Sequence, residues 1–485
     1  MNENKGDIRY VGVKETLLYG IANAGQCFGY NIIAGSYLSL FFTKVFGVPP
    51  AAVAAMMLFL GLWDTFNDPL MGTIVDKTRT RYGKLRPYLL IVPIPLGIAT
   101  ILLFAGPELL GDKVTDVAKI IYMFVTYFFW ELFYTLGDVP FWGMSAAISP
   151  SPSDRTRVIS SARFISGILG GISTPILTVL MDLSNKGAIP LSLSQVFLLM
   201  SILSATYGMG LFSLAGFCTK ERVVQTIKEP SILDGFKALI KNKPLLLIVI
   251  GNVLGAIGGI GGFFQAYYYS EVVQMNSLTI IIYLPGTILG FITYLLIPKV
   301  KEKFDNKQII FLNGFVRLVM GTLVFLVGMK CFTNLWVVVP LLMVQNLLFS
   351  FFNTINMVIP TEMIGDTIDY MEWKTGERNE GVSFSVLTFV GKLTGSISGA
   401  LGGWLLPIIG LTFAQDTGVA IKAYEQTDFY IWAMFTLAPA VLGLLPLIPY
   451  IWYDLTGEKL KMVREEMTER RAKLSAEVSG GAENE

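Results

Sequence analysis

The sequence predicts an all-α membrane protein of twelve transmembrane helices in two six-helix halves. Three observations lead there. Hydrophobic residues make up 53% of the chain and charged residues 15%, with a mean hydropathy of +0.59, too apolar for a water-soluble chain of 485 residues. Twelve apolar runs are each long enough to cross the roughly 30 Å hydrocarbon core as a helix. A mixed-charge stretch from Cys218 to Lys243, punctuated by Pro230 and Pro244, separates the first six runs from the last six.

In order, the runs cover 14–42, 51–75, 88–106, 118–148, 157–181 and 193–217, then 244–270, 276–298, 309–330, 335–361, 382–410 and 428–453. The expected organisation is therefore an N-terminal half (1–217), a cytoplasmic linker (218–243), a C-terminal half (244–453) and a charged cytoplasmic tail (454–485), read as a solvated extension. Met1 to Tyr10 is polar, and the first run is too long for a signal h-region, so it is expected to remain as the first span. Five Lys/Arg lie in Asp76–Pro87, six in the linker and four in Lys299–Lys307, against about one in each alternate loop; the positive-inside rule then puts both termini in the cytoplasm. The basic loops after the second and eighth runs, one introduced by Asp68-Pro69 and the other by Ile297-Pro298, hint at an internal repeat. The expected setting is the cell (inner) membrane, with the chain a monomer.

The second run contains Asp64, Asn67 and Asp68. An aspartate at mid-bilayer costs roughly 2.5 to 3.5 kcal/mol, so two in one helix need a compensating reason. Residues i, i+3 and i+4 share a helix face, and two carboxylates so placed either share a proton or hold a small cation. In the fourth run Asp138 and Trp142 are also i and i+4; a carboxylate beside an indole suits a polyol ligand, while a Pro140 kink with an interfacial tryptophan is the plainer alternative. Thr135 lies one turn before Asp138 and Glu131 further back. Arg163 and Lys392 are the cations such carboxylates require, as site groups or as structural ion pairs; Arg317 has no assignable partner. The glycines at 251–262 and 395–403 read as close helix packing.

The absence of histidine removes imidazole metal sites, Ser/His nucleophiles and histidine proton relays. No nucleophile and base stand at a workable spacing, so no enzyme is expected. Cys27, Cys218 and Cys331 lack CxxC spacing and read as small apolar residues. A net charge of +1 gives no reason to expect a nucleic-acid partner.

At these residues the chain resembles the glycoside/pentoside/hexuronide:cation symporters, the melibiose-carrier family of the major facilitator fold. The resemblance rests on Trp63-Asp64 with Asn67-Asp68-Pro69-Leu70-Met71-Gly72, on Thr78-Arg79-Thr80-Arg81-Tyr82-Gly83-Lys84, on Tyr134 to Trp142, and on Asp369 to Gly376 with Glu380-Gly381. It implies that Asp64, Asn67, Asp68 and Thr135 bind Na⁺, Li⁺ or H⁺, with Asp64 and Asp68 as the metal ligands for Na⁺. It also implies that Asp138, Trp142 and Arg163 face a saccharide, and that Thr388 and Lys392 link the two sites. No further cofactor is implied. Arg81, Lys84 and Arg157 would hold a cytoplasmic gate by ion pairs. The chain departs from the pattern in its first helix, where Gly25-Gln26-Cys27-Phe28-Gly29 stands in place of a sugar-binding acid, and at Gly61, where an arginine is expected. Gln26, with Asn23 and Asn31, offers neutral groups instead. The expected function is cation-driven symport of a glycoside, oligosaccharide or uronide; alternatives are another cargo (a nucleoside, glycosylated natural product or amphiphile), or a channel or sensor.

Overall fold

A computed structural model describes residues 9–33, 36–111, 114–223, 242–376, 380–414 and 418–481; most of the linker, 224–241, lies outside these. The apolar runs are helical, with breaks that have local causes. The second becomes Pro50–Lys77, starting on a proline whose missing N–H is harmless in the first turn. The third divides into Arg86–Ile91 and Pro93–Phe104, because Pro93 and Pro95 interrupt the ladder. The fourth is Asp116–Ala147, begun by Thr115, whose hydroxyl accepts from the Ala118 amide. The fifth runs as Pro152–Ile165, a π-helical turn Ser166–Gly170, and Ser173–Asn185. The tenth, Leu335–Thr375, is 41 residues long, about 60 Å at 1.5 Å per residue, so it outruns a bilayer core. Gly376 ends it at φ 76°, its amide donating to the Glu372 carbonyl at 2.9 Å.

The first and seventh runs end alike. The π-helical turns Phe41–Val45 and Tyr268–Val272 are each closed by two matching bonds: Phe46 N to Phe41 O and Val48 N to Phe42 O in one (2.9 and 2.8 Å), Val273 N to Tyr268 O and Met275 N to Tyr269 O in the other (3.0 and 2.9 Å). The residue inside each closure has positive φ, Gly47 at 70° and Gln274 at 56°; Gln274 is the one non-glycine residue in that region among those described. The same backbone path drawn twice is what a duplicated six-helix half produces. It is a firmer sign of duplication than the pair of basic loops.

The described residues pack as two compact units. The first takes Met1–Ile227 with Gly262–Ile280 and Gly399–Ile431. In it Tyr19 stacks on Phe141 at 4.5 Å, and Gly25 lies so close to its neighbour that a Cβ would come within 2.3 Å of the Gly208 carbonyl oxygen. Three polar contacts tie its early segments to its late ones. Lys44 pairs with Glu271 at 2.6 Å, the Tyr267 hydroxyl bonds Ser39 and Thr43 at 3.0 and 3.1 Å, and Asp182 accepts from the Asn276 and Ser277 amides. A two-stranded antiparallel hairpin, Leu411–Phe413 with Ala420–Lys422 (Thr412 opposite Ile421), was not legible in the apolar pattern.

The second unit takes Lys228–Gly261, Ile281–Ser398 and Trp432–Glu485, with a core that includes Ile248, Ile309, Ile359 and Ile364. The tail is not the solvated extension expected of it. Its helix Gly457–Gly481 buries Val463 and Met467 in that core, Arg464 donates to Asp366 at 2.6 and 3.1 Å, and the Trp373 indole donates to Glu466 at 2.6 Å. Charges spaced for solvent on three sides of this helix left one apolar stripe, and the overlong tenth helix supplies the surface that covers it.

Candidate functional site

The helices Pro50–Lys77 and Asp116–Ala147 carry the expected ion residues. Thr135 donates from its hydroxyl to the Asp64 carboxylate at 3.2 Å, joining the two helices at that point. Asn67 is fully buried, and neither its amide nitrogen nor its oxygen has a hydrogen-bond partner; the Trp63 indole nitrogen nearby is in the same condition. Buried amides left unsatisfied are costly, about 1 to 3 kcal/mol per group, so Asn67 and Trp63 are polar groups in want of a partner. Asp64 and Asp68 are half-buried one turn apart, an all-oxygen donor set suited to a hard cation or a shared proton.

The residues expected to face a sugar lie one turn along the same helix. Asp138 accepts two bonds on a single oxygen, from the Gln26 amide at 2.7 Å and from the Trp142 indole at 3.1 Å. Gln26 thus approaches Asp138 from a helix 112 positions away in sequence. The Arg163 guanidinium lies 5.0 Å from the centre of the Trp142 ring. Tyr30 and Tyr134 stack at 5.2 Å one turn beyond the Gln26–Asp138 bond, and Trp130 stacks on Tyr134 at 5.0 Å, so an aromatic ladder adjoins the carboxylate. Asn23 and Asn31, weighed as replacements for the absent acid, are engaged elsewhere. Asn23 donates to the Ala162 carbonyl and the Ser166 hydroxyl, Asn31 to the Gly170 carbonyl, and both hold the first helix to the π-helical turn after Arg163. Glu131 receives the Tyr127 hydroxyl.

Lys392 is half-buried on helix Glu380–Ile408 of the second unit, and the Thr388 side chain lies outside those described. The basic residues expected at a gate have local partners in the structure. Arg81 donates to and stacks on Tyr82, and Arg157 pairs with Asp154 in its own helix and donates to the Val11 carbonyl. The Lys84 amide, with those of Leu85 and Arg86, donates to Glu221, a carboxylate at the start of helix Arg86–Ile91 that sequence reasoning passed over. Glu15 grips Arg222 through two bonds of 2.9 and 2.8 Å and holds that guanidinium above its ordinary pKa. Arg317 donates to Asn353 at 3.2 Å and lies over Phe349, so its partners are an amide and a ring.

A sequence profile of the MFS/sugar transport protein family matches residues 18–457. The chain belongs to that family. The match runs through both motif-bearing halves, in agreement with the resemblance read from the motifs, and the fold is the twelve-helix major facilitator fold of a multi-pass membrane protein. The chain is 28% identical over 472 residues to the inner membrane symporter YicJ of Escherichia coli (strain K12), with 95% of each chain covered. It is 27% identical to the glucuronide carrier protein homolog of the same organism (93% of this chain, 95% of that one) and 26% identical to the isoprimeverose transporter of Lactiplantibacillus pentosus (93% and 90%). Among solved structures, the nucleoside transporter NupG superposes with a TM-score of 0.58 at 16% identity, covering 91% of this chain and all of that one, a likeness of fold alone.

Proposed function

We propose that the protein is a secondary active symporter, not an enzyme, that moves a glycoside, oligosaccharide or uronide together with Na⁺, Li⁺ or H⁺ by alternating access. One observation carries the reading: Thr135, bonded to Asp64, and Asp138, bonded to Gln26 and Trp142, stand one turn apart on a single helix. An ion that neutralises Asp64 and Asp68 draws Thr135 inward and sets the rotation of that helix, so that Asp138 meets the sugar in a defined pose. Binding of either ligand then favours the same state and raises affinity for the other. With no histidine in the chain, a coupling proton would reside on these carboxylates. The relatives named as symporters, and as carriers of a glucuronide or of isoprimeverose, support this choice.

By the resemblance, Lys392 and Thr388 serve the coupling of ion to sugar, and Arg81, Lys84 and Arg157 exchange their local partners for others when the cytoplasmic side closes. Both termini lie in the cytoplasm, and the chain works as a monomer in the cell membrane. The test is uptake into proteoliposomes across a saccharide panel, with Na⁺ and pH gradients imposed separately, for the native chain and for Asp68→Cys. Gradient-driven accumulation of at least one saccharide that disappears in Asp68→Cys is expected. Undiminished cation-driven accumulation in the variant removes Asp68 from the ion site, and uptake of no saccharide under either gradient overturns the function.

A further inference from the structure

We propose that the second unit binds a small monovalent inorganic anion, of the size and charge of chloride, at Arg317. This residue is the centre of the 23-residue helix Asn306–Gly328, with about 16 Å of helix to either end. It shares a face with Asn313, Gly321 and Val324, which are buried, while Phe315, Val319 and Leu326 on the other side are exposed. A guanidinium turned towards the bundle at mid-span is costly unless an opposite charge meets it. Among the described residues none does. Arg317 donates to the Asn353 side-chain oxygen at 3.2 Å and lies 5.4 Å from the centre of the Phe349 ring, both on helix Leu335–Thr375 and both neutral. Its Nε is buried with no hydrogen-bond partner.

The neighbouring polar groups show the same want. Asn313, one turn before Arg317 and 8% exposed, and Asn356, one turn after Asn353, each hold a buried amide oxygen without a partner. An asparagine carries NH₂ and C=O on one rotor, so both amides can turn a donor towards an ion that the guanidinium also meets. A single negative charge leaves such a site neutral, whereas a dianion exchanges an uncompensated cation for an uncompensated anion. Position separates the sources of that charge. Lipid phosphates lie outside the roughly 30 Å hydrocarbon core, level with the ends of a spanning helix, so a free ion fits the middle of this one and a headgroup does not. Asn353 is exposed, which leaves the ion an approach.

The experiment is the thermal unfolding midpoint of the purified full chain in detergent, at fixed Na⁺ and with no sugar, as chloride or bromide replaces gluconate. A saturable rise with either halide is expected in the native chain. Arg317→Gln loses it, and Arg317→Lys, a point charge without the planar fork, needs about tenfold more chloride for half the effect. Asn313→Asp supplies an anion one turn from the guanidinium. It is expected to unfold in gluconate at or above the native midpoint in saturating chloride, and to respond no further to halide; this variant decides the matter where Arg317→Gln does not fold. Equal midpoints in chloride and gluconate for the native chain overturn the inference, as does a halide response that survives in Arg317→Gln or in Asn313→Asp. A rise given by added phosphatidylglycerol and by neither halide assigns Arg317 to a lipid headgroup and overturns it too. Each of these outcomes leaves the symport reading to the uptake assay above.

Discussion

Replacing Asp182 by alanine removes the acceptor of three hydrogen bonds, from the Asn276 amide (2.7 Å), the Asn276 side chain (3.0 Å) and the Ser277 amide (2.7 Å). The carboxylate is 5% exposed, and it caps the start of helix Leu278–Lys301 from helix Ser173–Asn185, 94 positions earlier. It lies at the opposite end of its span from Asp154 and Val11, the end that the proposed orientation places outside. The prediction is that this contact opens once in each transport cycle. Truncation leaves two backbone donors unpaired in a buried place, at about 1 to 3 kcal/mol each, so the joined state loses at least about 2 kcal/mol. At 1.4 kcal/mol per factor of ten, that shifts the balance about 30-fold or more toward the parted state. The assay is alkylation of Cys27, half-buried beside Asn23, by a membrane-impermeant maleimide in whole cells, with Cys218 and Cys331 replaced by serine. Labelling at least tenfold faster in Asp182→Ala is expected, with Asp182→Asn, which keeps one acceptor oxygen, in between. Unchanged labelling in a correctly inserted protein would refute the idea that this carboxylate holds the outer end closed.

Two further outcomes test the packing. Gln274→Gly relieves a side chain at φ 56° and is expected to raise the thermal unfolding midpoint in detergent, by the equivalent of about 1 kcal/mol, whereas Gly47→Gln, its counterpart in the first half, lowers it; a fall in the first variant contradicts the matched-turn geometry. Arg464→Ala strands the Asp366 carboxylate, which is 6% exposed, and because Arg464 is itself half in solvent the expected cost is only about 1 to 2 kcal/mol. That loss is to be read as faster proteolysis within Gly457–Gly481, and equal cleavage rates would show that the Arg464–Asp366 pair does not hold the tail helix.

Much of the candidate site was legible because its logic is local. Asp64, Asn67 and Asp68 share a face by helical spacing, as do Asp138 and Trp142, and the cost of charge in hydrocarbon singles them out before any packing is known. Lys44, Glu271 and Asp182 carry the same charge signal but sit at the ends of apolar runs, where a charged residue ordinarily needs no partner, so nothing in the sequence distinguished them from solvated ends. Glu221 was hidden for a like reason, as one acid in a mixed-charge linker.

The sequence by itself determined the membrane class, the spans, the family motifs and the two helices that carry the candidate ion and sugar residues, since each follows from composition or from spacing within a single element. Only the tertiary structure decided that Gln26 is the donor meeting Asp138, that Arg163 lies over the Trp142 ring, that Asp182 caps a distant helix, and that the tail helix docks. The physical reason is separation along the chain. A contact between residues about a hundred positions apart depends on how whole helices are set against one another, and no local pattern of residues encodes that.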